Sequence, residues 1–97
     1  MHRRAAKIDA NQTIITDTLR RLGATVQHIH TVGKGCPDLL VGWRGQNLLV
    51  EIKDGDKAPS RRQLTPDEQR WHEEWRGQVV IVESIDDAVA LLNRVDA

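Results

Sequence analysis

Three residues in this chain have the types and spacing for chemistry: Asp38 in "CPDLLVG", and Glu51 and Lys53 in "VEIKDG". Glu and Lys are poor strand formers. At the end of an apolar run such as "NLLVEIK" their charges are costly to bury unless they are paired or bind something. Side chains alternate along a strand, so Leu49, Glu51 and Lys53 share one face and Leu48, Val50 and Ile52 the other. In the preceding run Asp38, Leu40 and Gly42 share a face. The hairpin loop decides what meets Asp38. A two-residue loop at Arg44–Gly45 sets it opposite Glu51. A loop at Gly45–Gln46, or the four residues 44–47, sets it opposite Lys53, and a three-residue loop spoils the arrangement. In the two- and four-residue registers all three groups gather on one face, with opposed Cβ atoms about 4.5–5.5 Å apart.

Two carboxylates that close repel each other unless a cation sits between them. Hard oxygen ligands from Asp38 and Glu51 favour Mg²⁺ or Mn²⁺ over softer ions. Lys53 beside them can orient or help deprotonate a water and stabilise charge growing on an attacked phosphate. Metal-assisted phosphodiester hydrolysis is the reaction these groups fit. Taken singly, Asp38 reads as a turn-capping aspartate after Pro37, and Glu51 with Lys53 as a surface ion pair. Taken together they read as a site.

Other residues extend or surround that site. Gln12 lies on the apolar stripe of the first helical segment, where an inward-facing amide needs a partner; that partner is either core backbone or the metal. Gln69, in a second helical segment, is placed to hold a phosphate, Lys53 or a water. Arg3, Arg4 and Lys7 form one basic cluster and Lys57, Arg61 and Arg62 another, in "DGDKAPSRRQ", which reads as a mobile loop. Lys34, between two glycines, can touch a phosphate or simply complete a tight turn. His28 and His30 sit two apart on one strand face and read as structural or surface residues. Trp71 and Trp75, one helical turn apart, read as core or dimer-interface residues rather than base-stacking ones. His72 has no assigned role.

The elements that must position these groups follow from periodicity. Ile8, Ile15, Leu19 and Leu22 recur at helical spacing and Gly23 stops the helix. Thr25–Ile29, Asp38–Trp43 and Asn47–Lys53 read as strands. Thr65 and Glu68 form a capping box with Pro66 at the first helical position, opening a helix that runs to about Trp75. "QVVIVE" is a buried strand, and "SIDDAVALLNRV" a last helix capped by Ser84. The order is αβββαβα.

Size and charge bound the rest. A chain of 97 residues suits one small domain, for which a dimer is a ready way to gain buried area. One cysteine, Cys36, excludes an intramolecular disulfide framework and a multi-cysteine zinc site. No apolar run approaches membrane-spanning length and the N-terminus lacks a secretory signal's apolar core, so a cytoplasmic protein is expected. The formal net charge is zero, but residues 1–62 hold 11 Lys+Arg against 6 Asp+Glu, and residues 63–97 hold 3 against 8. Such segregation allows local phosphate contacts on a neutral protein.

"CPDLLVG" and "LLVEIKDG" resemble the PD-(D/E)xK nuclease signature. More narrowly, "DANQTIITDTLRRLGATV", "GKGCPDLLVG" and "LTPDEQRWHEEW" resemble the VRR-NUC group of virus-type replication and repair nucleases, in particular its stand-alone phage and prophage members, from about Arg4 to Leu92. The resemblance implies a restriction-endonuclease-like αβββαβ core with a mixed central sheet flanked by helices. It also implies Mg²⁺ or Mn²⁺ dependence and endonucleolytic cleavage of DNA selected by structure rather than sequence. Stand-alone members are similar to Holliday junction resolvases, which implies a homodimer acting on branched DNA. By position, the resemblance makes Asp38, Glu51 and the backbone carbonyl of Ile52 metal ligands, Lys53 the catalytic lysine, and Gln69 the glutamine of the second helix. Gln12 departs from the glutamate that many of these nucleases carry on the first helix, which weakens any second metal. Two alternatives remain: a DNA junction- or end-binding module with weak or lost cleavage, and an RNA-cleaving enzyme of the same fold.

Overall fold

In the computed structural model, which describes residues 9–95, the first helix, α1, spans Ala10–Arg21. The expected start at Ile8 lies outside the described residues. After α1, strand β1 (Thr25–His28) leads into a short 3₁₀ turn at His30–Val32. The expected strand therefore ends at His28, and His30 leaves it. Strands β2 (Leu39–Trp43) and β3 (Gln46–Ile52) follow. Helix α2 (Pro66–Glu74), strand β4 (Val79–Val82) and helix α3 (Ile85–Arg94) complete the expected order.

The β2–β3 hairpin turns on two residues, Arg44 and Gly45, with φ of 50° and 77°. Positive φ at both central positions is the type I′ geometry, whose twist matches that of the flanking strands. This selects one of the registers open to the sequence: Leu39 pairs with Val50 and Val41 with Leu48. Strands β1, β2 and β3 form an antiparallel meander, and β4 joins β3 in parallel after the α2 crossover, giving the mixed sheet order β1-β2-β3-β4.

One sheet face is apolar. Leu39, Val41, Leu48 and Val50 are essentially inaccessible and pack with Ile15 and Leu19 of α1 and Ala88, Leu91 and Leu92 of α3. Each such Leu, Ile or Val contributes about 1.5–3 kcal/mol by burial. Trp43 lies at its edge and donates Nε1–H to the Leu92 carbonyl at 3.0 Å. Helix α2 crosses the other face, opened by the expected capping box: Thr65 Oγ1 accepts from Glu68 N, and Glu68 Oε1 from Thr65 N. Ser84 caps α3 as expected, accepting from Asp87 N.

Of the two readings for Trp71 and Trp75, the core one is corrected: both lie outside the apolar core, they stack on each other at 4.5 Å, and Trp75 is exposed. The segment "DGDKAPSRRQ", expected as a mobile loop, is mostly exposed and makes a few turn hydrogen bonds. Gly55 N donates to the Glu83 carbonyl, Asp56 N to Asp54 Oδ1, and residues 59–61 form a 3₁₀ turn. Among the described residues no helix is long and apolar enough to cross a membrane.

Candidate active site

The ladder fixes the first of the three groups. Asp38 lies one residue before β2, and extending the Leu39–Val50 pairing places it opposite Glu51. Both ends of Asp38 are held: its carbonyl accepts from Ile29 N at 2.9 Å and its Oδ2 from Ile52 N at 2.8 Å. The backbone of Ile52, the expected carbonyl ligand, is thus tied to the Asp38 carboxylate. Glu51 is 1 % exposed. Burial first, then the hydrogen bond with Asp38 and the charges of Asp38 and Glu68, push its pKa up to about 9, with Lys53 opposing. Without a cation, burial and these neighbours favour the protonated form of Glu51.

Lys53 follows directly after β3. Its backbone N–H donates to the Val82 carbonyl and its Nζ to Glu68 Oε1 at 2.7 Å. That same oxygen closes the capping box, so the start of α2 and the lysine share one carboxylate. Burial favours the neutral form of Glu68, but the hydrogen bonds from Lys53 and Thr65 outweigh it and hold the pKa below the usual range.

His72 and Asn11 are residues the sequence reading missed. His72 lies one helical turn after Glu68, with its Nε2 3.7 Å from Glu51 Oε1; burial lowers its pKa. The signal was present as matched spacing. Residues i and i+4 on a helix are about 6 Å apart along the axis, and i and i+2 on a strand about 6.6 Å. Glu68 and His72 therefore meet Lys53 and Glu51 in step. Asn11 donates Nδ2–H to the carbonyls of Lys53 at 2.7 Å and Glu83 at 3.3 Å, joining α1 to the end of β3.

The remaining candidates fall elsewhere. Gln12 is buried, but its partner is neither core backbone nor the carboxylates. Its Nε2 lies 3.0 Å from His28 Nδ1, on the sheet face away from Glu51. His28 and His30 rings meet edge-on at 5.9 Å. Gln69 is exposed and donates Nε2–H to Glu73 at 3.3 Å, so α2 aims Glu68 and His72 at the site and Gln69 outward. Lys34 is exposed at φ 55°, beside a surface depression it shares with Arg70 and Trp71. Next to it, Gly35 lies against the backbone of Asp67 so closely that a Cβ would collide, which seats this loop on the start of α2. Lys57 and Arg61 are exposed. Arg62 donates to the Lys57 carbonyl and pairs with Glu83 at 3.5 Å. Arg3, Arg4 and Lys7 lie outside the described residues. Burial, then Glu51 and Asp38, raise the pKa of the Cys36 thiol, which favours its protonated form.

Among the described residues no group of three His, Cys, Asp or Glu side chains stands ready to hold a metal ion. The residues present still fit a hard cation. Asp38 and Glu51 adjoin, and Glu51 Oε1 is buried with no hydrogen-bond partner. Mg²⁺ is commonly held by one or two carboxylates with waters completing its shell.

No family model matches the sequence, and no curated protein does. A solved structure described as a VRR_NUC domain superposes on the chain with a TM-score of 0.65 at 28 % identity, covering 88 % of this chain and 92 % of that one. Signature motifs, hairpin register and a superposition over most of both chains agree: the chain has the fold of a VRR_NUC domain and is similar to that nuclease domain in sequence.

Proposed function

We propose that the protein is a metal-dependent, structure-selective endodeoxyribonuclease that acts as a homodimer on branched DNA. The observation that carries this reading is the hairpin register, which sets Asp38 opposite Glu51 with Lys53 two residues on. Asp38, Glu51 and the Ile52 carbonyl would hold Mg²⁺ or Mn²⁺, which when bound polarises the phosphate and acidifies a water. Lys53 orients that water and balances the charge growing on the attacked phosphate. Glu68 holds the Lys53 ammonium in place until the phosphate arrives. Lys34, Lys57, Arg61 and Arg62, with Arg3, Arg4 and Lys7, supply dispersed phosphate contacts, and Gln69 meets the backbone from the outer side of α2.

The test is a cleavage assay with purified protein on four-way junctions, flaps, nicked and linear duplexes, in Mg²⁺, in Mn²⁺ and in chelator. Cleavage of branched substrates that chelator abolishes is expected. Binding without cutting under every condition overturns the assignment in favour of a DNA-binding module. Substituting RNA strands shows whether RNA is also a substrate.

A further inference from the structure

Two polar atoms facing each other between β3 and α2 have no hydrogen-bond partner. Glu51 Oε1 and His72 Nε2 are both sealed from solvent and unpartnered, and at 3.7 Å they are too far apart to bond each other. An unsatisfied buried polar atom costs about 1–3 kcal/mol, so a facing pair marks a space built to receive something. A divalent cation held at about 2.0–2.1 Å, the Mg²⁺ distance, would span a gap of this size.

We propose that His72 Nε2 is a further ligand of the cation held by Glu51, and that this nitrogen makes the site prefer Mn²⁺ to Mg²⁺. The inference rests on the metal-dependent reading above and names a residue which that reading does not use. His72 is well placed for the task. The capping box and the Glu68–Lys53 ion pair fix the start of α2 one turn before it, and the Trp71 ring packs against it edge-on at 6.1 Å. As the side chains stand, Glu51 is the shared member of two pairs, hydrogen-bonded with Asp38 and facing His72, and among the described residues no three such groups yet converge. Two carboxylates alone take Mg²⁺ and Mn²⁺ with little distinction. An imidazole nitrogen favours the transition metal, because Mg²⁺ strongly prefers oxygen and gives up water reluctantly.

The test uses the full chain. Pulsed electron paramagnetic resonance of the Mn²⁺-loaded wild type is expected to show coupling to an imidazole nitrogen. His72→Gln, its fold checked by circular dichroism, is expected to lose that coupling and to weaken Mn²⁺ binding in calorimetry by about tenfold or more, while Mg²⁺ binding changes much less. His72→Asn serves if the first variant does not fold. Absent coupling, coupling that survives the substitution, or equal losses for both ions overturns the proposal, as does a water alone in the gap. Mn²⁺ that binds through Glu51 without a nitrogen signal overturns only the role of His72. A wild type that binds no Mn²⁺ overturns the metal-dependent reading as well.

Discussion

Along β3, Val50 and Glu51 are neighbours in sequence and equally hidden, at 0 % and 1 % exposure, yet they point into opposite environments. Val50 enters the apolar layer between the sheet and helices α1 and α3, where burial stabilises it. Glu51 enters a polar layer between the sheet and α2, where burial raises its pKa and leaves one oxygen unpartnered. The first face holds the fold together; the second carries a cost that the proposed cation would offset. One strand therefore serves stability and chemistry on alternate residues, and substitutions on the two faces should fail in different ways.

The largest contrast comes from the lysine. Lys53→Ala, like Asp38→Ala, should lower the single-turnover cleavage rate by at least about 100-fold. DNA affinity in a mobility-shift assay should stay near wild type, since it rests on dispersed phosphate contacts. Wild-type cutting by either variant would break the division between the faces. Leu39→Ala, on the apolar face, should cost about 2–5 kcal/mol in urea unfolding while the folded fraction cleaves normally.

Glu51→Gln sharpens the comparison through pH. The native state holds the Glu51 proton up to about pH 9, whereas the unfolded chain releases it near 4.5. The metal-free wild type therefore loses stability as pH rises between those values. The variant should lack that loss and be more stable at pH 8 by on the order of a few kcal/mol, read as a higher Tm in chelator. A lower Tm would show that the Glu51 environment favours its charge. Gln12→Glu should leave Mn²⁺ affinity unchanged in calorimetry, because position 12 faces His28, and should destabilise by about 1–3 kcal/mol. Tighter Mn²⁺ binding would place α1 at the metal after all. The smallest effect belongs to Arg62→Ala, whose half-exposed pair with Glu83 is worth less than about 1 kcal/mol.

Much of this was legible because it is local. The capping box at Thr65 and Glu68 and the cap at Ser84 each depend on residues a few positions apart, and each forms as read; the strands form in the expected order, although β1 ends at His28 and β4 leaves Ile81 exposed. The second helix misled where its outward and inward sides had to be told apart. Gln69 is adjacent to Glu68 in sequence but about 100° away around the axis, and only the docking of α2 on β3 shows which residue reaches Lys53. Gln12 misled for a related reason: being buried did not say which side of the sheet it served.

The sequence by itself determined the elements and the alternation that puts Glu51 and Lys53 on one face, since both are set by chain geometry over a few residues, and it carries the motif on which the proposed chemistry rests. The tertiary structure alone decided the hairpin register that brings Asp38 to Glu51, and the seating of α2 that brings Glu68 and His72 over the strand. Those contacts join residues far apart along the chain, and they depend on turn geometry and helix docking that several registers of the same pattern would have allowed.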